Sequence, residues 1–281
     1  MSPRFSFIPV MDHELHVTEW GRPEAPPLVL WHGLARTGRD FDELAEALSD
    51  DWFVLCPDTI GRGLSSWSSN PEAEYSVEYY AGIAADMLDR YGIAQTAWLG
   101  TSMGGMIGMR LASGPQADRL SCLIVNDIGP EVPAPAIARI LSYAGSSPEF
   151  RSVTEAEVWF RQSYLPFGPA SDAFWRRMAR SSIRRKGNGA FTLHYDPKIT
   201  VAFTASADEL VTWDRWDRTR LPCHAIRGAT SDLFTPEVAA RMVASGPKPG
   251  LTVIEGCGHA PTLSRPEDIA LVRGLLRDLT G

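Results

Sequence analysis

Short apolar runs alternate along the chain with segments whose apolar positions recur at helical spacing. Residues Leu15 to Trp20 alternate loosely, as an edge strand does. Pro27 to Trp31 and Cys122 to Val125 are instead continuous apolar runs, the signature of strands buried on both faces, and further short strands are expected over Trp52 to Cys56, Ala97 to Leu99, Cys223 to Arg227 and Leu251 to Ile254. Between them lie helical patterns over about Phe41 to Leu48 and Ser76 to Tyr91, the latter with Tyr80, Ile83, Ala84, Met87, Leu88 and Tyr91 on one face. A last helix opens on the capping box Ser264-x-x-Glu267 and carries Ile269, Val272, Leu275, Leu276 and Leu279 on one side. Such alternation predicts an α/β fold, a mostly parallel central sheet with right-handed crossovers and helices on both faces.

The alternation lapses from about Glu131 to Asp217, where helix-like segments rich in aromatics and arginines contain no strand of the preceding kind. The predicted organisation is therefore one core domain, residues 1–130 and 218–281, interrupted by a helical cap at 131–217. A chain of 281 residues buries a core of that size without a second independent domain. Its 44% hydrophobic and 22% charged content is that of an ordinary globular protein, and a net charge of -7 disfavours nucleic acid or an anionic membrane as partner. Neither a signal-like apolar region at the N-terminus nor a run of spanning length is present, so a cytoplasmic location is expected. Cys56, Cys122, Cys223 and Cys257 lack zinc or disulfide spacing and read as buried thiols.

In open parallel sheets ligands gather at the carboxyl ends of the strands. His32 to Leu34, Ser102, Asp232 and His259 all fall in loops that follow strands. Ser102 sits within Gly100-Thr101-Ser102-Met103-Gly104, between an apolar run and a helical segment. Glycines two residues to either side permit a sharp strand-to-helix bend that lifts the serine clear, while the following helix aims its N-terminal amides at the same point. A glycine-flanked serine can also simply cap a helix. The order Ser102, Asp232, His259 supplies a nucleophile, an acid and a base in the sequence known for such an elbow.

On these residues, with Trp31-His32-Gly33-Leu34, Pro57 to Ser65, Gly228 to Asp232 and Gly256-Cys257-Gly258-His259, the chain resembles the α/β-hydrolase superfamily. That resemblance implies an α/β-hydrolase fold, with Ser102 as nucleophile, His259 as general base and then acid, and Asp232 as the group that orients His259. It implies an oxyanion hole from the backbone N–H groups of Leu34 and Met103. Asp127, after the strand that follows the elbow helix, is the alternative acid, since some relatives supply the carboxylate from that place. His32 reads as shaping the oxyanion loop, Asp58 as anchoring its glycine-rich turn, and His13, His16, His194 and His224 have no partner recognisable in the sequence. Arg36, Trp159, Phe160 and Tyr164 are candidate pocket residues; Phe167, Phe174 and Trp175 belong to the same aromatic group. The basic run Arg176, Arg177, Arg180, Arg184, Arg185 and Lys186 reads as a solvated face. The expected activity is cleavage of a small carboxylic ester through an acyl-enzyme, with no cofactor or metal. Hydrolysis of a carbon–carbon bond or an enol-lactone is the alternative chemistry, and a non-catalytic small-molecule receptor the alternative class.

Overall fold

The computed structural model describes residues 2–201 and 210–281. Eight strands form one sheet in the order β1-β2-β4-β3-β5-β6-β10-β11. β1 (Arg4–Val10) and β2 (His13–Trp20) make an antiparallel hairpin, and β2 pairs antiparallel with β4 (Phe53–Pro57). From β4 the sheet continues in parallel through β3 (Pro27–Trp31), β5 (Thr96–Thr101), β6 (Leu120–Asn126), β10 (Cys223–Gly228) and β11 (Gly250–Ile254). The hairpin partner β1 was not expected, because its outward positions Phe5 and Phe7 are exposed and blur the alternation that marks a strand.

Alternate residues of the inner parallel strands feed separate cores, while the edge strand β11 is largely exposed and buries only Ile254. Val29 and Trp31 of β3, with Trp98 of β5, face α3 (Val77–Arg90), which follows the single turn α2 (Pro71–Glu74), and α4 (Met103–Ala112), whereas Leu28, Leu30, Ala97 and Leu99 face α1 (Asp42–Leu48) and the helix Pro266–Thr280. This period-two division explains why β3 and β6 read as unbroken apolar runs. The last helix starts one residue later than its capping box implies. Pro266 fits the first helical position, which makes Arg265 the N-cap, and the Ser264 hydroxyl pairs instead with Thr262.

The region between β6 and β10 is largely helical, with α5 (Ala134–Ala144), α6 (Val153–Ser163) and α7 (Asp172–Ser181). It also contains a small antiparallel sheet, β7 (Glu149–Phe150), β8 (Ile183–Arg185) and β9 (Phe191–Leu193), absent from the sequence reading because each strand is only two or three residues long. The basic run is not uniformly solvated: Arg177 reaches Glu43 of α1 at 2.6 Å, and Lys186 pairs with Glu149. Among the described residues no helix is long and apolar enough to cross a membrane.

Two contacts fix the loops at the carboxyl edge of the sheet. His32, buried after β3, donates from Nδ1 to the Gly33 carbonyl at 2.6 Å and accepts the Thr59 N–H on Nε2 at 2.9 Å. Asp58, buried after β4, accepts the Gly38 and Leu64 amides and His16 Nδ1. Burial pushes its carboxyl up, but these bonds, that from His16 foremost, outweigh it and hold it below the usual range. His13 and His224 likewise have partners, Glu74 and Thr252. At the bend after β5, α4 crosses the sheet so closely that a Cβ on Gly104 would lie 2.1 Å from the Trp31 carbonyl oxygen.

Gly104→Ala is therefore expected to cost about 1–3 kcal/mol or more in urea unfolding, an unchanged midpoint being the contrary result. Desolvation lowers His32 to about 4 from 6.5, so the unfolded chain binds a proton there that the folded chain refuses. The sign follows directly: the contribution is complete above pH 6.5 and is lost as pH falls toward 4, amounting to roughly 3 kcal/mol. Urea midpoints should fall over that window, and less steeply in His32→Asn; parallel profiles for the two proteins would remove His32 as the cause.

Candidate active site

Ser102 occupies the turn between β5 and α4 with φ 52° and ψ -116°, a conformation that L-residues adopt only under constraint. Its N–H donates to the Asn126 carbonyl at 2.9 Å. Met103 is the first residue of α4, so its amide has no acceptor within the helix. The His32-Gly33-Leu34 loop closes over the same point: a Cβ on Gly33 would stand 3.5 Å from the Ser102 Cβ, and the Arg36 N–H turns back to the Gly33 carbonyl at 3.2 Å.

His259 follows β11 on a loop tied down by the Gly258 N–H donating to Pro166 and the Thr230 N–H donating to Cys257. Its side chain is almost buried and borders the same cleft as Ser102 and Leu34. Nδ1 lies 2.8 Å from Oδ2 of Asp127, so Nδ1 carries the proton and Nε2 is left as an acceptor. Asp127 is 0% exposed and has φ 56°. Besides His259, its Oδ1 accepts the Gly228 N–H at 2.7 Å and its Oδ2 the Ser231 hydroxyl at 2.6 Å.

Asp232 is not behind His259. Its side chain is 49% exposed and forms a two-pronged ion pair with Arg139 of α5, at 2.7 Å in both contacts. Arg139 holds the Asp232 carboxyl below its ordinary range. The acid expected at Asp232 is thus replaced geometrically by Asp127. β10, not β6, neighbours β11 in the sheet, so strand order does not decide; the Asp127 carboxylate turns inward to His259, whereas that of Asp232 turns outward to Arg139. Ser231, one residue before the expected acid, points inward while Asp232 points out.

Two further residues escaped the sequence reading. Asn126 accepts the Ser102 amide with its backbone and donates through Nδ2 to the Pro261 carbonyl at 2.9 Å, joining the serine turn to the histidine loop. Ser231 fixes Asp127 while accepting the Leu233 and Phe234 amides. Both are small polar residues that end or follow apolar runs, a signal too common to single them out. Of the candidate pocket residues, Arg36 and Tyr164 border the cleft together with Phe167, Phe174 and Tyr143. Trp159 and Phe160 pack one layer behind, edge to face at 5.1 Å. The Cys257 thiol is buried, and desolvation raises its pKa, the reverse of an activated nucleophile.

Comparison with known proteins agrees with this architecture. The chain is 36% identical over 285 residues to a 3-hydroxybutyrate-oligomer hydrolase of Cupriavidus necator, covering 96% of each protein. It is 27% identical over 174 residues to 3-oxoadipate enol-lactonase 2 of Acinetobacter baylyi, spanning 59% of this chain and 63% of that one. The crystal structure of an alpha/beta hydrolase from Novosphingobium aromaticivorans superposes with a TM-score of 0.87 at 31% identity, over 99% of both chains. Residues 28–271 match the model of one family throughout, and with the buried parallel sheet and its serine turn they make this chain a member of the alpha/beta hydrolase family.

Proposed function

We propose that the protein is a carboxylic ester hydrolase acting through Ser102, His259 and Asp127, and that its substrates are short oligomers of 3-hydroxybutyrate. The observation that carries the reading is the hydrogen bond from His259 Nδ1–H to a fully buried Asp127, on a loop that shares its cleft with Ser102. The similarity over nearly the whole chain to a 3-hydroxybutyrate-oligomer hydrolase supports the substrate.

A serine hydroxyl attacks a carbonyl carbon only as its proton leaves, and the acceptor is His259 Nε2. Asp127 keeps the imidazole in that tautomer and stabilises the imidazolium that forms. As the Ser102 oxygen bonds to the ester carbon, the carbonyl oxygen becomes negative and is met by the Leu34 and Met103 amides and the positive end of α4. Collapse of this intermediate breaks the bond to the alcohol oxygen, which takes the proton from His259. Water, deprotonated by the same Nε2, then attacks the acyl-Ser102 ester; its oxygen stays with the acid, and the serine recovers its proton. Asp232, committed to Arg139 at the rim, orients the cap helix α5 and takes no proton.

With p-nitrophenyl butyrate, Asp127→Asn is expected to lower kcat by about 10³- to 10⁴-fold. Asp232→Asn should remain within about threefold of the parent, because an exposed ion pair contributes at most about 1 kcal/mol. The opposite ranking would return the acid to Asp232. A sulfonyl fluoride should modify Ser102, as located by peptide mass spectrometry, and a linear trimer of 3-hydroxybutyrate should be cleaved to monomer. Cleavage of the nitrophenyl ester without any cleavage of the trimer would reject the oligomer assignment.

A further inference from the structure

The cleft at Ser102 has two arms, both walled mainly by apolar groups, of which only one carries charged side chains. Met103, Met106, Ile128, Val132, Ile137 and Leu233 line an apolar arm that His259 does not border. His259, Arg36, Asp40, Tyr143 and Tyr164 border the other. Ser102 and Leu34 belong to both, so a substrate whose carbonyl meets Ser102 extends into each. Because His259 must hand its proton to the departing oxygen, the leaving alcohol lies in the arm that His259 borders, and the acyl chain in the apolar one.

Arg36 is 4% exposed. Its Nε and Nη2 chelate Asp40 at 2.7 and 2.6 Å, and Nη2 also donates to the Ser182 hydroxyl at 2.9 Å. The rings of Phe160 and Tyr164, 5.5 and 5.0 Å from the guanidinium carbon, flank it. Nη1 is buried and meets no acceptor at hydrogen-bonding geometry among the described residues, although the Tyr164 hydroxyl lies within electrostatic reach of the guanidinium. A guanidinium held this firmly, with one donor nitrogen left without an acceptor, carries a standing desolvation cost that an arriving acceptor removes.

We propose that Arg36 Nη1 donates to an acceptor oxygen carried by the leaving alcohol, making this arm a subsite for oxygen-bearing alcohols over alkyl ones. The inference rests on the ester-hydrolase reading. The Asp40 carboxylate already balances the guanidinium charge, so the donor serves a neutral carbonyl as readily as a carboxylate. In an oligomer of hydroxy acids the leaving unit presents one or the other, as an internal ester carbonyl or a terminal carboxylate.

Three butyrate esters separate the possibilities: those of methyl 3-hydroxybutyrate, of free 3-hydroxybutyrate and of 2-hexanol, which matches the first in chain length and branching but lacks the carbonyl. Release of butyrate is measured for each. The kcat/KM of at least one oxygen-bearing ester should exceed that of the 2-hexyl ester by about tenfold to a hundredfold, and the better of the two identifies carbonyl or carboxylate as the preferred acceptor. In the double variant Arg36→Met, Asp40→Leu, which leaves no carboxylate unpaired, that ratio should fall to within about threefold of one. Equal turnover of all three by the parent protein, or an unchanged ratio in the variant, overturns the subsite while leaving Ser102 chemistry intact. Failure of the parent to release butyrate from any of them would overturn both the subsite and the hydrolase reading.

Discussion

Asp127 brings a carboxylate into a region from which water is excluded, and the surroundings of the sheet edge are arranged to receive it. An uncompensated buried charge costs several kcal/mol, so the three donors that converge on it are required as much as they are useful. They come from the end of β10, from the loop after it and from the loop after β11. One side chain at the end of β6 therefore gathers the two strands beyond it in the sheet and sets the orientation of His259. The left-handed backbone of Asp127 belongs to the same requirement, turning the chain out of β6 where the carboxylate must face sideways along the sheet edge.

On the other side of β6 the serine is held by backbone alone. Its strained turn, the crossing of α4 over β5 and the amide bond to Asn126 leave it little freedom. Asn126 and Asp127 are adjacent in sequence, and the first holds the Ser102 turn through its backbone while the second holds the His259 imidazole through its carboxylate. Met103 opens α4 directly after the serine, so the packing that constrains the turn also leaves an amide without an acceptor in the helix beside Ser102.

Most of this was legible in the chain. Apolar runs located the six parallel strands, and the glycines around Ser102 located the bend, because both reflect burial and steric demands that act locally. The choice between Asp127 and Asp232 was not legible. Each follows a strand, each lies between Ser102 and His259 in chain order, and what separates them is side-chain direction, Asp127 turning to the imidazole and Asp232 to Arg139, which no local pattern encodes. β1 and the small sheet between β6 and β10 escaped for a related reason: strands that are exposed or only two or three residues long have too little pattern to rise above their surroundings. The division of the cleft into a wholly apolar arm and one that carries charged side chains depends on residues from β3's loop, α4, α5 and the segment between α6 and α7, a convergence that no single stretch of sequence contains.

Among the contacts between the segment joining β6 to β10 and the rest of the chain are those of two arginines with different duties. Arg139 reaches down from α5 to the exposed Asp232, while Arg36 reaches up from the core to Ser182 beside α7. The account as a whole depends on which carboxylate holds the imidazole, and the proton between them can be observed directly. In the proton NMR spectrum the His259 Nδ1–H should give a far-downfield resonance that disappears in Asp127→Asn and persists in Asp232→Asn. A resonance that survives loss of Asp127 and vanishes with Asp232 would contradict it.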